Sequence, residues 1–288
     1  MPETPEAHTP RFLAWLYSTP SQQPVLAALC GIEREIGASL RPGVDHHVAH
    51  TRLEWWREEC RRCAAGSPSH PLTRELRAHL QRAQPTAGVD SRLAGLGGLV
   101  DIAAWDLAGA TFGRREELTA YCRRWSAAMV TPLAADGGDR NGEADGSGAR
   151  AAWSEVGSAL CELELLGRLA PDAHSGRLRI PLDELEQAAV APAAVAAPPW
   201  PRELRAIISA RHQTLRRQLA AAVAGLSPGA QQSSRGLLVW AALAWQTSFR
   251  TERSLPRPPA ASVASAAAAN WHAWRAARAA TRGRLRLR

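Results

Sequence analysis

Val48–Pro68 reads VAHTRLEWWREECRRCAAGSP. Its residues Ala49, Leu53, Trp56, Cys60 and Cys63 recur every three or four positions, which places them on one face of an α-helix. Gly66-Ser67-Pro68 ends that helix, because glycine takes the left-handed cap conformation and proline cannot continue the ladder. A helix with one apolar stripe has to be covered by others, and the chain on either side supplies them. Val25, Leu29, Ile32 and Ile36 mark a stripe upstream. Downstream, helical patterns run over residues 93–110, 116–133 and 151–169. Ile208, Leu215, Leu219, Val223 and Leu226 mark a longer helix, and Leu237, Ala241, Ala244 and Ser248 the next; a last one covers 260–280.

The breaks between them read as inter-helix loops. Residues 136–148, DGGDRNGEADGSG, carry too little apolar surface to join a core and read as a flexible insertion. Further loops fall around Pro171 and Pro181, and residues 188–201 form an Ala/Pro connector. No run alternates with the period of a strand, and no segment repeats. The expected architecture is all-α: a tail over 1–11, one domain over 12–255, and a C-terminal helix with an Arg-rich tail over 256–288.

Composition narrows the function classes. The 288 residues are 45% apolar and 22% charged, an ordinary globular balance, and no stretch approaches the ~20 apolar residues of a membrane span. Glu3 and Glu6 precede any apolar run, unlike a secretory signal, so a cytoplasmic location is expected. Every basic residue is arginine, and the net charge is +8. That charge suits phosphate groups or an anionic membrane surface, but no nucleic-acid-reading motif accompanies it, so no nucleic acid is expected as a partner. Arg275, Arg278, Arg282, Arg284, Arg286 and Arg288 read as a solvated end. Cys30, Cys60, Cys63, Cys122 and Cys161 form an odd, scattered set of the kind kept reduced. His46, His47 and His50 do not join Cys60 and Cys63 into a zinc site, since ten helical residues span about 15 Å. Tryptophan is plentiful, eleven against three phenylalanines. Trp240, Trp245, Trp271 and Trp274 read as core and pocket lining. The sharper reading is an interfacial belt that sets the C-terminal Trp/Arg region against the inner face of a membrane as a peripheral contact.

Four segments, in order, resemble the squalene/phytoene synthase family. They are Leu29–Ile36; Arg52–Glu59 with Gly66 and His70-Pro71; Trp105-Asp106-Leu107 with Phe112 and Glu117–Cys122; and Gly157–Leu160 leading to Gly176–Leu185. The second is the most specific of the four. The resemblance covers about residues 12–255 and implies the isoprenoid-synthase fold, a single helical domain around an apolar central pocket. Enzymes of the family join two prenyl diphosphates head to head. Mg²⁺, held by two aspartate clusters on facing helices, neutralises charge developing on the leaving diphosphate.

Here the first cluster aligns with Gly37, Ala38 and Arg41, and the second with Arg168 and Asp172. The polar pair before the second cluster is Cys161 and Glu164, and Trp125 and Val130 stand where smaller residues are usual. An arginine at a metal position repels Mg²⁺, at a cost of several kcal/mol in a low-dielectric cavity. The resemblance leaves Asp172 and Asp106 as catalytic candidates and Asp172 with Glu164 as metal candidates. Arg34, Arg168, Tyr121 and Arg177 are candidates for holding diphosphate. Asp101 and Asp106 do not share a helix face, being about 140° apart. Glu164 and Asp172 share one only if the helix runs past Gly167, which Pro171 opposes. Arg34 could equally sit in an ion pair with a neighbouring glutamate. The expectation is a member of the family with impaired or no catalysis, which binds a prenyl diphosphate or another acidic lipid, or serves as an assembly or accessory factor. The alternative is an active head-to-head prenyl transferase with an unorthodox site, and only that reading requires Mg²⁺.

Overall fold

A computed structural model describes residues 4–7, 9–41, 43–83, 88–134, 146–256 and 263–287. Among them the regular elements are helical. In chain order they are α1 Pro10–Tyr17, α2 Gln23–Gly37, α3 His46–Ala65, α4 Pro71–Ala83, α5 Val89–Leu93, α6 Gly98–Leu107 and α7 Arg115–Met129. There follow α8 Gly146–Leu166, α9 Leu169–His174, α10 Leu182–Gln187, α11 Arg202–Ala224, α12 Pro228–Ser233, α13 Arg235–Ser254 and α14 Val263–Thr281. Packed pairs run α2 with α6, α6 with α7, α7 with α8, α8 with α11 and α13, α13 with α1, and α1 back to α2. That sequence of contacts closes a ring, and the space it encloses is where a ligand site would lie.

The α3 stripe goes where its period puts it: Ala49, Leu53, Trp56, Cys60 and Cys63 are all buried. Gly66 ends the helix at φ +95°, a conformation a side chain rarely tolerates. Glu59, on the same helix, explains why the next one starts at Pro71. Its carboxylate is fully buried and accepts the backbone N–H groups of Ser69 (2.9 Å) and His70 (2.8 Å). It also accepts the hydroxyls of Ser69 (2.6 Å) and Thr73, and Arg62 donates to it at 2.8 Å. One side chain thus satisfies the donors that precede and open α4. The segment that carries the strongest family resemblance is therefore a structural joint.

Burial alone would raise the Glu59 carboxyl, but the bonds from Ser69, Thr73 and His70 outweigh it and hold it at about 2, against an ordinary 4.5. Glu59→Ala should lower unfolding stability by about 2–3 kcal/mol in urea titrations, as two or more buried donors lose their acceptor. Because the folded value is depressed, that contribution is complete above about pH 4.5 and disappears as pH falls through about 2. The gap between wild type and variant should therefore narrow over that interval.

Several boundaries differ from the sequence reading. α1 starts at Pro10, inside the stretch expected to be a tail; Thr9 caps it by accepting the Phe12 N–H at 3.1 Å. α4 has no counterpart in the sequence reading. The helix expected over 93–110 is broken, with α5 ending at Leu93 and α6 starting at Gly98. A Cβ at Gly98 would lie 2.7 Å from the Arg124 carbonyl, so α6 meets α7 there by backbone approach. Most of the 136–148 insertion falls outside the described residues, while 146–148 already belong to α8. The bend at Pro171 is a short helix, α9.

The C-terminal stretch keeps its arginines solvated, with Arg275, Arg278, Arg282, Arg284 and Arg286 exposed, but its backbone is docked. Leu285 is buried, and its N–H donates to Gln231 Oε1 at 2.8 Å, pinning 282–287 onto α12. Arg288 lies outside the described residues. Trp240 and Trp245 are core residues, as expected of core and pocket lining, whereas Trp271 and Trp274 face outward at 56% and 40% exposure. No helix among the described residues is long and apolar enough to cross a membrane.

Candidate functional site

Two cavities lie within the ring, of about 780 Å³ and 340 Å³. Arg11, Glu33, Glu164 and Arg168 line both, so these side chains are the partition between them. Arg11 projects from α1 and bridges a glutamate on each of two facing helices. It pairs with Glu33 of α2 and donates to Glu164 Oε2 of α8 at 2.8 Å. The remaining oxygens take indole donors: Trp125 Nε1 reaches Glu33 Oε1 at 2.9 Å, and Trp240 Nε1 reaches Glu164 Oε1 at 3.1 Å. The guanidinium lies 5.8 Å from the Trp125 ring and 5.1 Å from Trp240, close enough for cation–π attraction. Burial works against its charge, but Glu164 and Glu33 outweigh that and hold Arg11 firmly protonated.

The smaller cavity contains the second cluster. Arg179 takes Asp106 in a two-pronged pair, Nη1 to Oδ1 at 2.7 Å and Nη2 to Oδ2 at 2.9 Å. Its Nε donates to Asp172 Oδ2 at 2.9 Å. The three side chains are nearly inaccessible, so this is a buried ion triad whose geometry compensates for lost hydration. Arg168 Nε and Arg177 Nη2 approach the other Asp172 oxygen at 3.6 and 3.9 Å. Tyr121 donates to Asp106 at 3.4 Å, and burial followed by the Asp106 charge pushes its phenol upward, so it stays a neutral donor.

The sequence candidates are thus placed as follows. Asp106, Asp172, Tyr121, Arg168 and Arg177 line the smaller cavity together with Glu164, Trp125 and Gly37. Arg34 lines the larger one, beside Arg168 and Glu164. Arg41, just past α2, is exposed. Glu164 and Asp172 sit in different ion clusters, one on Arg11 and the other on Arg179. Among the described residues, no three His, Cys, Asp or Glu side chains converge as metal ligands would. The chemistry of this donor set does not fit Mg²⁺, because its acids already neutralise fixed guanidinium groups. Arg11 and Arg179 were given no role from the sequence. Thr9-Pro10, a capping residue followed by proline, was the signal that could have placed Arg11 on a helix.

A closed ring of helices around an acid-and-arginine-lined cavity defines an all-α protein of the isoprenoid-synthase type. The squalene/phytoene synthase family model matches residues 5–275, and the chain belongs to that family. No curated protein sequence matches it. Among solved structures it is similar to a dehydrosqualene synthase in complex with ligand, with TM-score 0.75 and 12% identity over 92% of this chain and 90% of that one. It is also similar to the squalene synthase HpnC from Alicyclobacillus acidocaldarius, with TM-score 0.64 and 17% identity over 84% and 87%. At these identities the likeness is one of fold.

Proposed function

We propose that this protein binds an apolar chain with an anionic head, a prenyl diphosphate or another acidic lipid, and does not consume it. The observation that carries this reading is the pairing of four acids that line the cavities: Asp106 and Asp172 with Arg179, and Glu33 and Glu164 with Arg11. In a head-to-head condensation such carboxylates would have to hold Mg²⁺ against the leaving diphosphate. Here arginine is the cation they hold, and Arg168 stands two-thirds exposed at the rim of both cavities. Arginine recognises phosphate and carboxylate by paired hydrogen bonds and needs no metal. An assembly or accessory role follows if the loaded protein hands its ligand on.

The test is titration of the full chain with farnesyl diphosphate, geranylgeranyl diphosphate and a fatty acid, with chelator and then with Mg²⁺. Saturable binding that is indifferent to Mg²⁺ is expected, weakened about tenfold or more by Arg168→Glu; the preferred ligand identifies the head group. Metal-dependent release of pyrophosphate with a C30 or C40 product would establish the alternative, an active prenyl transferase.

A second surface favours work at an anionic membrane. Trp271, Trp274, Arg275, Arg278 and Arg282 are exposed and spaced so as to form one face of α14 and its end. Trp271 and Trp274 stack at 5.0 Å, Arg278 lies 5.3 Å from the Trp274 ring, and α14 contains no acidic residue. Each arginine near such a surface contributes about 1 kcal/mol, and the indoles suit the headgroup level. The protein should sediment with vesicles containing phosphatidylglycerol but not with phosphatidylcholine alone. The double substitution Trp271→Ala/Trp274→Ala should reduce the bound fraction at least fivefold, and equal binding to both vesicle types would remove the proposal.

A further inference from the structure

The larger cavity has a wall that the ion clusters do not explain. His212 of α11 stands in it beside Ser248, Thr247 and Thr251 of α13. The imidazole is buried, with Nδ1 2.9 Å from Ser248 Oγ. Ser248 Oγ also accepts from Arg216 Nη1 at 3.0 Å. Arg216 is anchored in turn by Glu252, which takes Ser209 Oγ at 2.5 Å and Gln213 Nε2 at 2.7 Å as well.

This chain of bonds is complete when each member donates to the next, Arg216 to Ser248 and Ser248 to His212. Arginine can only donate, so Ser248 takes that bond on one lone pair, which leaves its hydroxyl proton to turn toward His212. Nδ1 is then the acceptor, and a neutral ring carries its proton on Nε2. Burial, with Arg216 second, pushes His212 down to about 4, so the ring is neutral at physiological pH. Nε2 has no hydrogen-bond partner among the described residues. A buried donor left without an acceptor is rare in folded proteins and marks a place where something else supplies one. Of the charged groups bordering the cavity, Arg11, Glu33 and Glu164 satisfy one another, and Glu6, Arg34 and Arg168 line it as well, whereas the α11–α13 wall presents neutral groups beside apolar Trp240, Leu163 and Ala244.

We infer that the larger cavity holds an apolar ligand bearing an uncharged oxygen, a hydroxyl, ether or carbonyl, which accepts a hydrogen bond from His212 Nε2. The inference rests on the reading of this chamber as a ligand site and adds a selectivity that the anion-binding arginines do not supply. A site built around a donor discriminates against the analogue that lacks the acceptor, because the donor is then left unpaired.

Farnesol and the C15 hydrocarbon farnesene, titrated into the full chain with tryptophan fluorescence as the readout, test it. Wild type should bind the alcohol about tenfold tighter. His212→Leu should erase the difference, and His212→Gln, which keeps an N–H donor, should restore part of it. Nitrogen-15 NMR of the histidine-labelled wild type reads the tautomer without any variant. A proton on Nε2, with a signal that moves when farnesol but not farnesene is added, is the expected result. A proton on Nδ1, or equal affinity of wild type for alcohol and hydrocarbon, overturns the inference. If farnesyl diphosphate still binds in that case, the inference alone fails; if none of the three binds, the reading of the chamber fails with it.

Discussion

Arg179→Met should lower stability by about 3–5 kcal/mol, the usual cost of leaving buried charges without their counter-ion, which for a chain of this size is about 10 °C in Tm. The substitution keeps the aliphatic volume and removes one cation from between Asp106 and Asp172, both nearly inaccessible and both held by that side chain at 2.7–2.9 Å. Arg177 and Arg168 offer little replacement. They approach only Asp172, at 3.9 and 3.6 Å, and Arg168 is two-thirds exposed, where water screens its charge. The triple variant Asp106→Asn/Asp172→Asn/Arg179→Met, which has no charge to bury, should recover most of the loss. Millimolar Mg²⁺ should raise the Tm of the single variant and leave wild type unchanged, since only the variant offers two uncommitted carboxylates. Calorimetry reads all three. An Arg179→Met protein as stable as wild type would show that the triad is not an essential neutraliser, and would reopen Asp106 and Asp172 as acids available to a metal.

That experiment turns on a contact the sequence could not display. Asp106 and Asp172 were read from the resemblance as acids kept from the family pattern, and Gly37, Ala38, Arg41 and Arg168 as positions where it expects acids and finds none. The helices, too, follow from the 3.6-residue period of residues such as Leu53, Trp56 and Cys60. What the period does not carry is which side chain from a distant segment enters a site. Arg179 is 73 positions from Asp106, and Arg11 is 153 from Glu164. Both pairings depend on the ring of helices closing, with α1 filling the gap between α2 and α13. α4 was missed for a related reason. Its start is set by Glu59, a residue eleven positions before His70 whose acidic side chain looks solvent-facing until its partners are known. The docking of the tail was not legible because arginine-rich composition argues for solvation, which the exposed arginines keep, while the backbone is held by the bond from Leu285 to Gln231.

Arg11 is where the electrostatic and steric roles of the site separate. In Arg11→Ala, Glu33 and Glu164 lose their shared cation and face the chamber as two uncompensated carboxylates. An anionic ligand head must then approach them. Two unit charges at 4 Å interact by about 4 kcal/mol at an effective dielectric of 20. The side chains involved are 25–36% exposed, so solvent reduces this to about 1.5–3 kcal/mol, roughly ten- to a hundredfold in the affinity for farnesyl diphosphate. The same truncation removes a wall common to both cavities and joins them. Trp125 and Trp240, whose rings pack edge to face on each other at 5.6 Å and lie 5.8 and 5.1 Å from the guanidinium, should become more exposed to water and shift their emission to longer wavelength. The triple variant Arg11→Ala/Glu33→Gln/Glu164→Gln keeps the joined cavity and removes the carboxylates. If charge governs, it binds farnesyl diphosphate as tightly as wild type while retaining the red-shifted emission. If the wall governs, affinity stays low, or shifts toward longer chains such as geranylgeranyl diphosphate. Undiminished binding by the single variant would mean that Arg11 contributes neither neutralisation nor enclosure to the anion site.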